Sequence, residues 1–180
     1  SDQIDALILS LPQLDGVVSN AGINKRMLSQ YIKANEMELI IQTNLSSPIL
    51  LIKKLLKSKK LCDNSSIVFT SSIAAFRSSI GDGVYSATKG GIASFSKVLA
   101  IELASKKIRV NTIQPGMIRT ELIQKGPLSA DDYAKDEKRY PLGRYGNAEE
   151  VAWAAVYLLS NATAWMTGTN IVLDGGISLT

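Results

Sequence analysis

The sequence predicts an α/β fold, in which crossover helices connect the strands of a parallel sheet. Short β-branched or apolar runs alternate along the chain with longer helical patterns. Parallel strands need such crossovers, whereas antiparallel strands can be joined by tight turns. The chain has 180 residues, of which 46% are hydrophobic and 20% charged. This is enough apolar material for one sizeable core, so we predict a single domain over residues 1–180.

The individual elements follow from the same periodicity. Strands are predicted at residues 15–20, 65–72, 108–115 and 169–176, and helices at 33–58, 84–105 and 147–160. The last helix has the best-marked start, because Asn147 can cap its free amides and Glu149 and Glu150 suit the positive end of the helix dipole. Residues 120–146 are charged, irregular and too long for an ordinary connection, so we predict a substrate lid there.

Composition excludes several classes of function. The absence of histidine removes Ser-His-Asp and Cys-His catalysis and nearly all zinc sites, and we expect no metal. The single cysteine, Cys62, cannot form an internal disulfide and fits a cytoplasmic setting. The longest nearly unbroken apolar run, residues 151–159, is far shorter than the roughly 20 residues of a membrane span, and no leader opens the chain, so no membrane partner is expected.

The charge pattern gives little support for a nucleic-acid partner. Net charge is only +4, and the one dense basic stretch, residues 53–60, lies at the predicted exposed end of a helix. We interpret it as a solvated helix face, with a docking patch for an acidic partner or nucleic acid as the alternative.

The residues that close each strand are the first candidates for ligand contact, because open parallel sheets bind ligands beyond the carboxyl ends of their strands. These residues are Asn20, Ala21 and Gly22 after the first strand, Ser71 and Ser72 at the end of the second, and Pro115, Gly116 and Thr120 after the third. Each group alone is a common turn or strand end. Their coincidence at one edge of the sheet indicates a ligand site.

Tyr85 and Lys89 lie four residues apart in the second predicted helix and therefore share one helix face. A free tyrosine has a pKa of about 10, and a neighbouring ammonium favours the phenolate. A tyrosine tuned in this way can exchange a proton with an oxygen that is becoming a hydroxyl or a carbonyl. The alternative for this spacing alone is an ordinary exposed helix pair.

Together these motifs closely resemble the short-chain dehydrogenase/reductase family. Ser72 precedes Tyr85 by 13 positions, as in the Ser-Tyr-Lys site of that family. The segments "NAG" at 20–22, "TNLSS" with Asn44, "PGMIRT" at 115–120, "GRYGNAEEVA" at 143–152 and "TGTNIVLDGG" at 167–176 stand in the family's order.

The resemblance implies a role for each matching residue. Tyr85 would be the general acid or base, Ser72 would hydrogen-bond the substrate oxygen, and Lys89 would lower the Tyr85 pKa and hold the nicotinamide ribose. Asn44 would hold a water that relays protons from Lys89. The implied cofactor contacts are Asn20, Ala21 and Gly22 near the adenosine, Tyr85 and Lys89, and Pro115, Gly116, Ile118 and Thr120 near the nicotinamide and pyrophosphate.

The residues alone leave other readings open. Ser72 could merely end a strand, Asn44 could satisfy the backbone at a helix irregularity, and Thr120 could cap the next helix.

The resemblance also implies a Rossmann-like doubly wound sheet and an NAD(P)-dependent enzyme that interconverts a carbonyl and a secondary alcohol. The sequence is most similar in style to 3-oxoacyl-[acyl-carrier-protein] reductases of fatty acid biosynthesis, although sugar-alcohol and hydroxysteroid dehydrogenases share the motifs. The implied substrate is a small-molecule or acyl-carrier-bound carbonyl, with NADP slightly favoured over NAD. A cytoplasmic tetramer or dimer, associated through helices 33–58 and 84–105, is expected.

The chain departs from the family at its beginning. No glycine-rich dinucleotide motif occurs in the 180 residues, and the first 16 residues resemble the helix before the family's fourth strand. We therefore expect a sheet that is incomplete at its N-terminal half and no measurable activity from these 180 residues alone. The alternative function is a catalytically silent truncated fragment or an oligomerisation scaffold. The residue that selects NAD or NADP cannot be read from this chain.

Overall fold

A computed structural model describes residues 2–120 and 130–180. Its elements, in chain order, are α1 (Asp2–Ser10), β1 (Leu14–Ser19), α2 (Ala34–Ile41), α3 (Ser47–Lys57), β2 (Leu61–Thr70), α4 (Gly83–Glu102), β3 (Arg109–Pro115), β4 (Ile118–Arg119), α5 (Ala130–Glu137), β5 (Gly146–Asn147), α6 (Ala148–Leu159) and β6 (Asn170–Leu173). The main sheet has the order β1-β2-β3-β6, and β4 pairs with β5 in a separate small sheet.

All three pairings of the main sheet are parallel, so the predicted Rossmann-like α/β class is confirmed. The sheet corresponds to the C-terminal part of that fold and is incomplete at its N-terminal half, as expected. Right-handed crossovers through helices are the usual way to connect such strands, and α3, α4 and α6 each precede a strand of this sheet.

Alternate residues of β2 explain why helices cover both faces. Ile67 and Phe69 pack into the larger core, with side chains of α3 and α4, whereas Val68 points to the opposite face. On that opposite face Val68 packs with Ile113 of β3 and Leu158 of α6. Each such side chain contributes roughly 1.5–3 kcal/mol when it is fully buried. The apolar residues Ile67, Val68 and Phe69 of β2 therefore contact the helices on both faces of the sheet.

Three predicted elements differ from the structure. The strand predicted at 65–72 runs from Leu61 to Thr70. The strand predicted at 169–176 ends at Leu173, because the Asp174 carboxylate accepts from the N–H groups of Gly176 and Ser178 and turns the chain. The predicted helix 33–58 is continuous but is widened by a π-helical turn, Gln42–Ser46, between α2 and α3. The Glu150 carboxylate accepts from the Asn147 N–H at 2.7 Å, which supports the predicted start of α6.

The helical run Ala34–Lys57 is long and apolar enough, by length and composition alone, to cross a membrane. The apolar run at 151–159 is shorter, so Ala34–Lys57 is the run that meets the length of a membrane span. Core helices of soluble proteins have the same property, and Ile52 and Leu55 of this run are buried against the sheet. Of the predicted lid at 120–146, residues 121–129 lie outside the described residues, and the part that follows begins with α5.

Candidate active site

The side chains of Tyr85 and Lys89 meet at the carboxyl end of β2. Both lie in the first two turns of α4, and the Lys89 Nζ lies 5.6 Å from the centroid of the Tyr85 ring. Lys89 is buried, and its ammonium donates to the carbonyl of Thr70, the last residue of β2, at 2.8 Å. The Ser71 hydroxyl donates to the Lys89 carbonyl at 2.8 Å. The end of β2 therefore binds both the side chain and the backbone of Lys89.

Ser72 brings a third functional group to the same place. It precedes a short 3-10 turn, Ile73–Ala75, and its Oγ accepts from the Ala74 N–H at 3.1 Å. Its hydroxyl also hydrogen-bonds the Tyr85 phenol, which lowers the pKa of Tyr85 in part. The strand-end and functional readings of Ser72 are thus compatible, because one oxygen caps the turn while its proton faces the tyrosine.

The pKa of Tyr85 corrects one expectation. Burial raises the pKa of Tyr85 above its ordinary value, the Ser72 hydrogen bond lowers it in part, and the charge of Asp82 raises it further. The net shift is upward, and not the lowering that the resemblance implied. Burial also lowers the pKa of Lys89 to about 8. The ammonium remains mostly charged at neutral pH but is easier to deprotonate than an exposed lysine.

Asn44 lies in the π-helical turn and is buried. Its amide nitrogen donates to the Ile23 carbonyl at 2.8 Å and to the Thr88 hydroxyl at 3.2 Å, while its oxygen accepts from the Ile23 N–H at 2.8 Å. The predicted helix irregularity is therefore present. The same side chain ties the segment after β1 to the helix that carries Tyr85.

Gly22 lies beside this cluster, with its backbone packed closely against Lys89. A Cβ on Gly22 would lie 3.2 Å from the Lys89 Nζ and 3.5 Å from the Asn44 Oδ1. A larger residue at this position would therefore press against the ammonium. The Lys89 ammonium and the Tyr85 phenol lie side by side, and both can hydrogen-bond hydroxyl groups such as those of a ribose.

The remaining predicted contacts lie at neighbouring strand ends. Pro115 closes β3, and the Gly116 N–H donates to the Leu173 carbonyl at 3.0 Å. A Cβ on Gly116 would lie 3.0 Å from Asp174, so this turn requires close backbone approach. Ile118 pairs with Gly146, and Thr120 follows β4 as an exposed residue.

Asn20 and Ala21 are exposed just beyond β1. The structure thus joins Gly22, Asn44, Ser72, Tyr85 and Lys89 into one cluster, and it leaves the other predicted residues along the same edge of the sheet.

Sequence reasoning missed Thr88 and Thr70. The Thr88 hydroxyl donates to the Tyr85 carbonyl at 2.7 Å and accepts from Asn44, so it connects two predicted residues. Its position, one residue before Lys89, could have suggested this role. Thr70 contributes only its carbonyl, which no pattern of side chains could reveal.

Several known proteins are similar to this chain over most of its length. A family model described as enoyl-(acyl carrier protein) reductase matches residues 2–178. The 3-oxoacyl-[acyl-carrier-protein] reductase FabG of Chlamydia muridarum is 37% identical over 180 residues, which are 99% of this chain and 71% of that protein. The mouse 3-oxoacyl-[acyl-carrier-protein] reductase is 40% identical over 167 residues, covering 91% of this chain and 66% of the relative.

A solved structure is similar over nearly the whole chain. The crystal structure of a short chain dehydrogenase family protein from Francisella tularensis is 34% identical, with a TM-score of 0.90. The match covers 99% of this chain and 76% of that one. A short-chain dehydrogenase/reductase from Serratia marcescens is 25% identical, with a TM-score of 0.88 over 98% of this chain and 71% of its own. The chain therefore belongs to the short-chain dehydrogenase/reductase family of oxidoreductases.

Proposed function

We propose that this protein reduces the keto group of a 3-oxoacyl thioester, carried on an acyl carrier protein, with Tyr85 as the proton donor. The single observation that carries the proposal is the meeting of the Tyr85 phenol, the Ser72 hydroxyl and the buried Lys89 ammonium at one strand end. The names of the relatives described above support the substrate class.

The upward shift of the Tyr85 pKa favours the reductive direction. A group that protonates a carbonyl oxygen must hold its proton at the working pH. Burial keeps Tyr85 protonated at neutral pH, and Ser72 is placed to bind the same substrate oxygen. Oxidation of an alcohol would instead require the phenolate as the starting form, which burial disfavours.

Lys89 and Asn44 support this chemistry in different ways. The Lys89 ammonium favours the phenolate that remains after proton transfer, because an opposite charge nearby stabilises the ion. Asn44 holds the segment around Ile23 in place and would position the water that returns a proton to the site. A bound nicotinamide cofactor would supply the hydride.

The cofactor contacts are proposed along one edge of the sheet. Lys89 would contact the nicotinamide ribose, since its ammonium lies beside the Tyr85 phenol. Asn20, Ala21 and Gly22 would face the adenosine side, and the turn at Pro115 and Gly116 would face the nicotinamide. The two other residues proposed to contact the cofactor are Ile118 and Thr120. NADP is favoured over NAD. A cytoplasmic location fits the single free thiol, Cys62.

We further propose that the protein is a homo-oligomer, a tetramer or a dimer, that associates through α2, α3 and α4. Val98 and Ile101 of α4 are 54% and 78% exposed, and Leu39 of α2 is 58% exposed. Large apolar side chains on neighbouring helices are expected at a subunit interface. Sedimentation of the full-length protein as a monomer at micromolar concentration would refute this arrangement.

The test of function is reduction of a 3-oxoacyl thioester, with oxidation of NADPH or NADH followed by nicotinamide fluorescence. Tyr85→Phe should lower kcat/KM by about 10²- to 10⁴-fold, because only the proton donor is lost. Tyr157→Phe, a change of a half-exposed tyrosine on α6, is the matched control and should keep full activity. Activity of the Tyr85→Phe protein within about threefold of the wild type would end the assignment. Preference for a sugar ketone or a ketosteroid would overturn the proposed substrate.

A further inference from the structure

Asp82 lies immediately before α4, three residues ahead of Tyr85. Aspartate is a preferred residue at a helix start, where its carboxylate accepts from the free backbone amides. The Asp82 side chain makes no such hydrogen bond. It is nevertheless almost fully buried, with 9% of its side-chain surface exposed. Its carboxylate is therefore directed towards another part of the molecule.

The partners of Asp82 lie in the segment that follows β1. The Asn24 Nδ2 donates to the Asp82 Oδ1 at 3.0 Å, and the Arg26 Nε lies 3.3 Å from the same oxygen. The backbone adds a further bond, since the Met27 N–H donates to the Gly81 carbonyl at 2.9 Å. Two loops from different strand ends are thus joined beside the start of α4.

This junction is the second of two anchors on the same segment. Asn44 binds both the N–H and the carbonyl of Ile23, next to Gly22. Asp82 binds the segment further along, at Asn24 and Arg26. The position of Gly22 relative to Lys89 therefore depends on two anchors in the residues that directly follow it.

Few other charges face the tyrosine. Lys89 lies on the same helix, and Ser72 contributes a neutral hydroxyl from the segment after β2. Among the described elements that pack on α4, the turns Ile73–Ala75 and Gln42–Ser46 contain no charged residue. The other charged residues of these elements are Glu36 and Glu38 of α2, Asp63 at the start of β2, Arg109 at the start of β3 and Lys106 of the turn Ala104–Lys106. Lys97 and Glu102 lie further along α4 itself. Glu36 pairs with Lys25, and Arg109 binds the end of α6.

We propose that Asp82 is a positioning residue of this site, which holds the segment Gly22–Met27 against the start of α4 and places a negative charge, partly balanced by Arg26, three residues ahead of Tyr85. The inference rests on the proposed role of Tyr85 as proton donor. The charge of Asp82 raises the pKa of Tyr85, in the same direction as burial does. The positive end of α4 opposes this effect, so the carboxylate offsets the helix dipole.

The experiment is an NMR titration of the full-length protein with tyrosine labelled at Cζ, in which the Tyr85 resonance is identified by its loss in Tyr85→Phe. Asp82→Asn keeps an oxygen that can accept from Asn24 but removes the charge, and it should lower the Tyr85 pKa by about half a unit or more. Arg26→Gln changes a largely exposed side chain, removes the opposing charge and should raise the Tyr85 pKa. The double variant should return towards the wild-type value.

If the role of Asp82 were only structural, Asp82→Asn and Arg26→Gln would not shift the Tyr85 pKa in opposite directions. An unchanged Tyr85 pKa in Asp82→Asn, or shifts of the same sign in both single variants, would overturn the proposal. The pH profile of NADPH-dependent reduction separates this inference from the proposed function. If the titrations shift as expected but the profiles do not follow them, Asp82 acts on Tyr85 as proposed and Tyr85 is not the proton donor.

Discussion

Two buried cations lie at opposite ends of the sheet, and they are used in different ways. Arg109, at the amino end of β3, is 8% exposed and donates to the carbonyls of Leu158, Leu159 and Ser160 and to the Thr163 hydroxyl. Lys89, at the carboxyl end of the neighbouring strand β2, is 4% exposed, and its ammonium donates to the Thr70 carbonyl. The arginine closes the end of α6, where orphan carbonyls need donors.

The difference separates a structural cation, Arg109, from a proposed functional one, Lys89. Arginine offers five N–H donors in a fixed plane, and four acceptors surround it here. Lysine offers three donors, and among the described residues the Lys89 Nζ donates to one acceptor, the Thr70 carbonyl. A buried cation whose donors are mostly used within the fold stabilises the fold, whereas one that keeps further donors can also bind a ligand.

Removal of the structural cation should have the largest effect on stability. Arg109→Met leaves the carbonyls at the end of α6 buried without their donor, so we expect a loss of about 2–4 kcal/mol in the free energy of unfolding. Denaturant unfolding of the full-length protein measures this loss. Activity per folded molecule should be preserved, and a selective loss of activity with unchanged stability would contradict the comparison.

Removal of the functional cation should have the opposite effect on stability. Lys89 has a folded pKa of about 8, below its ordinary value of 10.5, so folding at neutral pH includes the cost of a buried charge. Lys89→Met removes that cost but also the hydrogen bond to Thr70, and we expect a net gain of about 1 kcal/mol at pH 7.

The pH dependence of this gain has a definite sign. Between pH 8 and 10.5 the unfolded chain retains the Lys89 proton and the folded protein has lost it, so wild-type stability rises with pH across that window. The advantage of Lys89→Met should therefore shrink above pH 8. Unfolding curves at pH 7 and at the alkaline end of the window test this, and an advantage that grows with pH would show that the lysine is not destabilised by burial.

The smallest effects are expected at the amino end of the sheet, in the turns that lead into β2 and β3. Lys59 and Lys107 follow the ends of helices with φ of 54° and 56°, a left-handed conformation that favours glycine. Lys59→Gly and Lys107→Gly should each raise stability by about 0.5–1 kcal/mol without a change in activity. Lys53→Gly, an exposed position in the interior of α3, is the matched control and should lower stability by about 1 kcal/mol.

The strands and the main helices were predictable from sequence because their periodicity is set by the core. Ile67, Val68 and Phe69 mark β2 and Val110 and Ile113 mark β3, and the predicted boundaries of these strands lie within four residues of the observed ones. The π-helical turn around Asn44 was not predictable as such, because it depends on hydrogen bonds to Ile23, which is distant along the chain.

The site residues were predictable from spacing, but their electrostatics were not. Tyr85 and Lys89 are four residues apart in sequence and do meet, yet burial rather than the ammonium dominates the pKa of Tyr85. Burial depends on how segments that are distant along the chain pack around the phenol, and the local sequence contains little of that information. Arg109 is a similar case, because all four of its acceptors lie at the end of α6, about 50 residues later in the chain.

The most direct test of the contrast between the two cations is a titration of the full-length protein with NADPH, followed by nicotinamide fluorescence. Lys89→Met should weaken binding by about tenfold or more, since the proposed charged hydrogen bond to the cofactor would be lost. Arg109→Lys, measured under conditions in which the variant is folded, should bind NADPH like the wild type. Wild-type affinity in Lys89→Met, or an equal loss of affinity in both variants, would contradict the account.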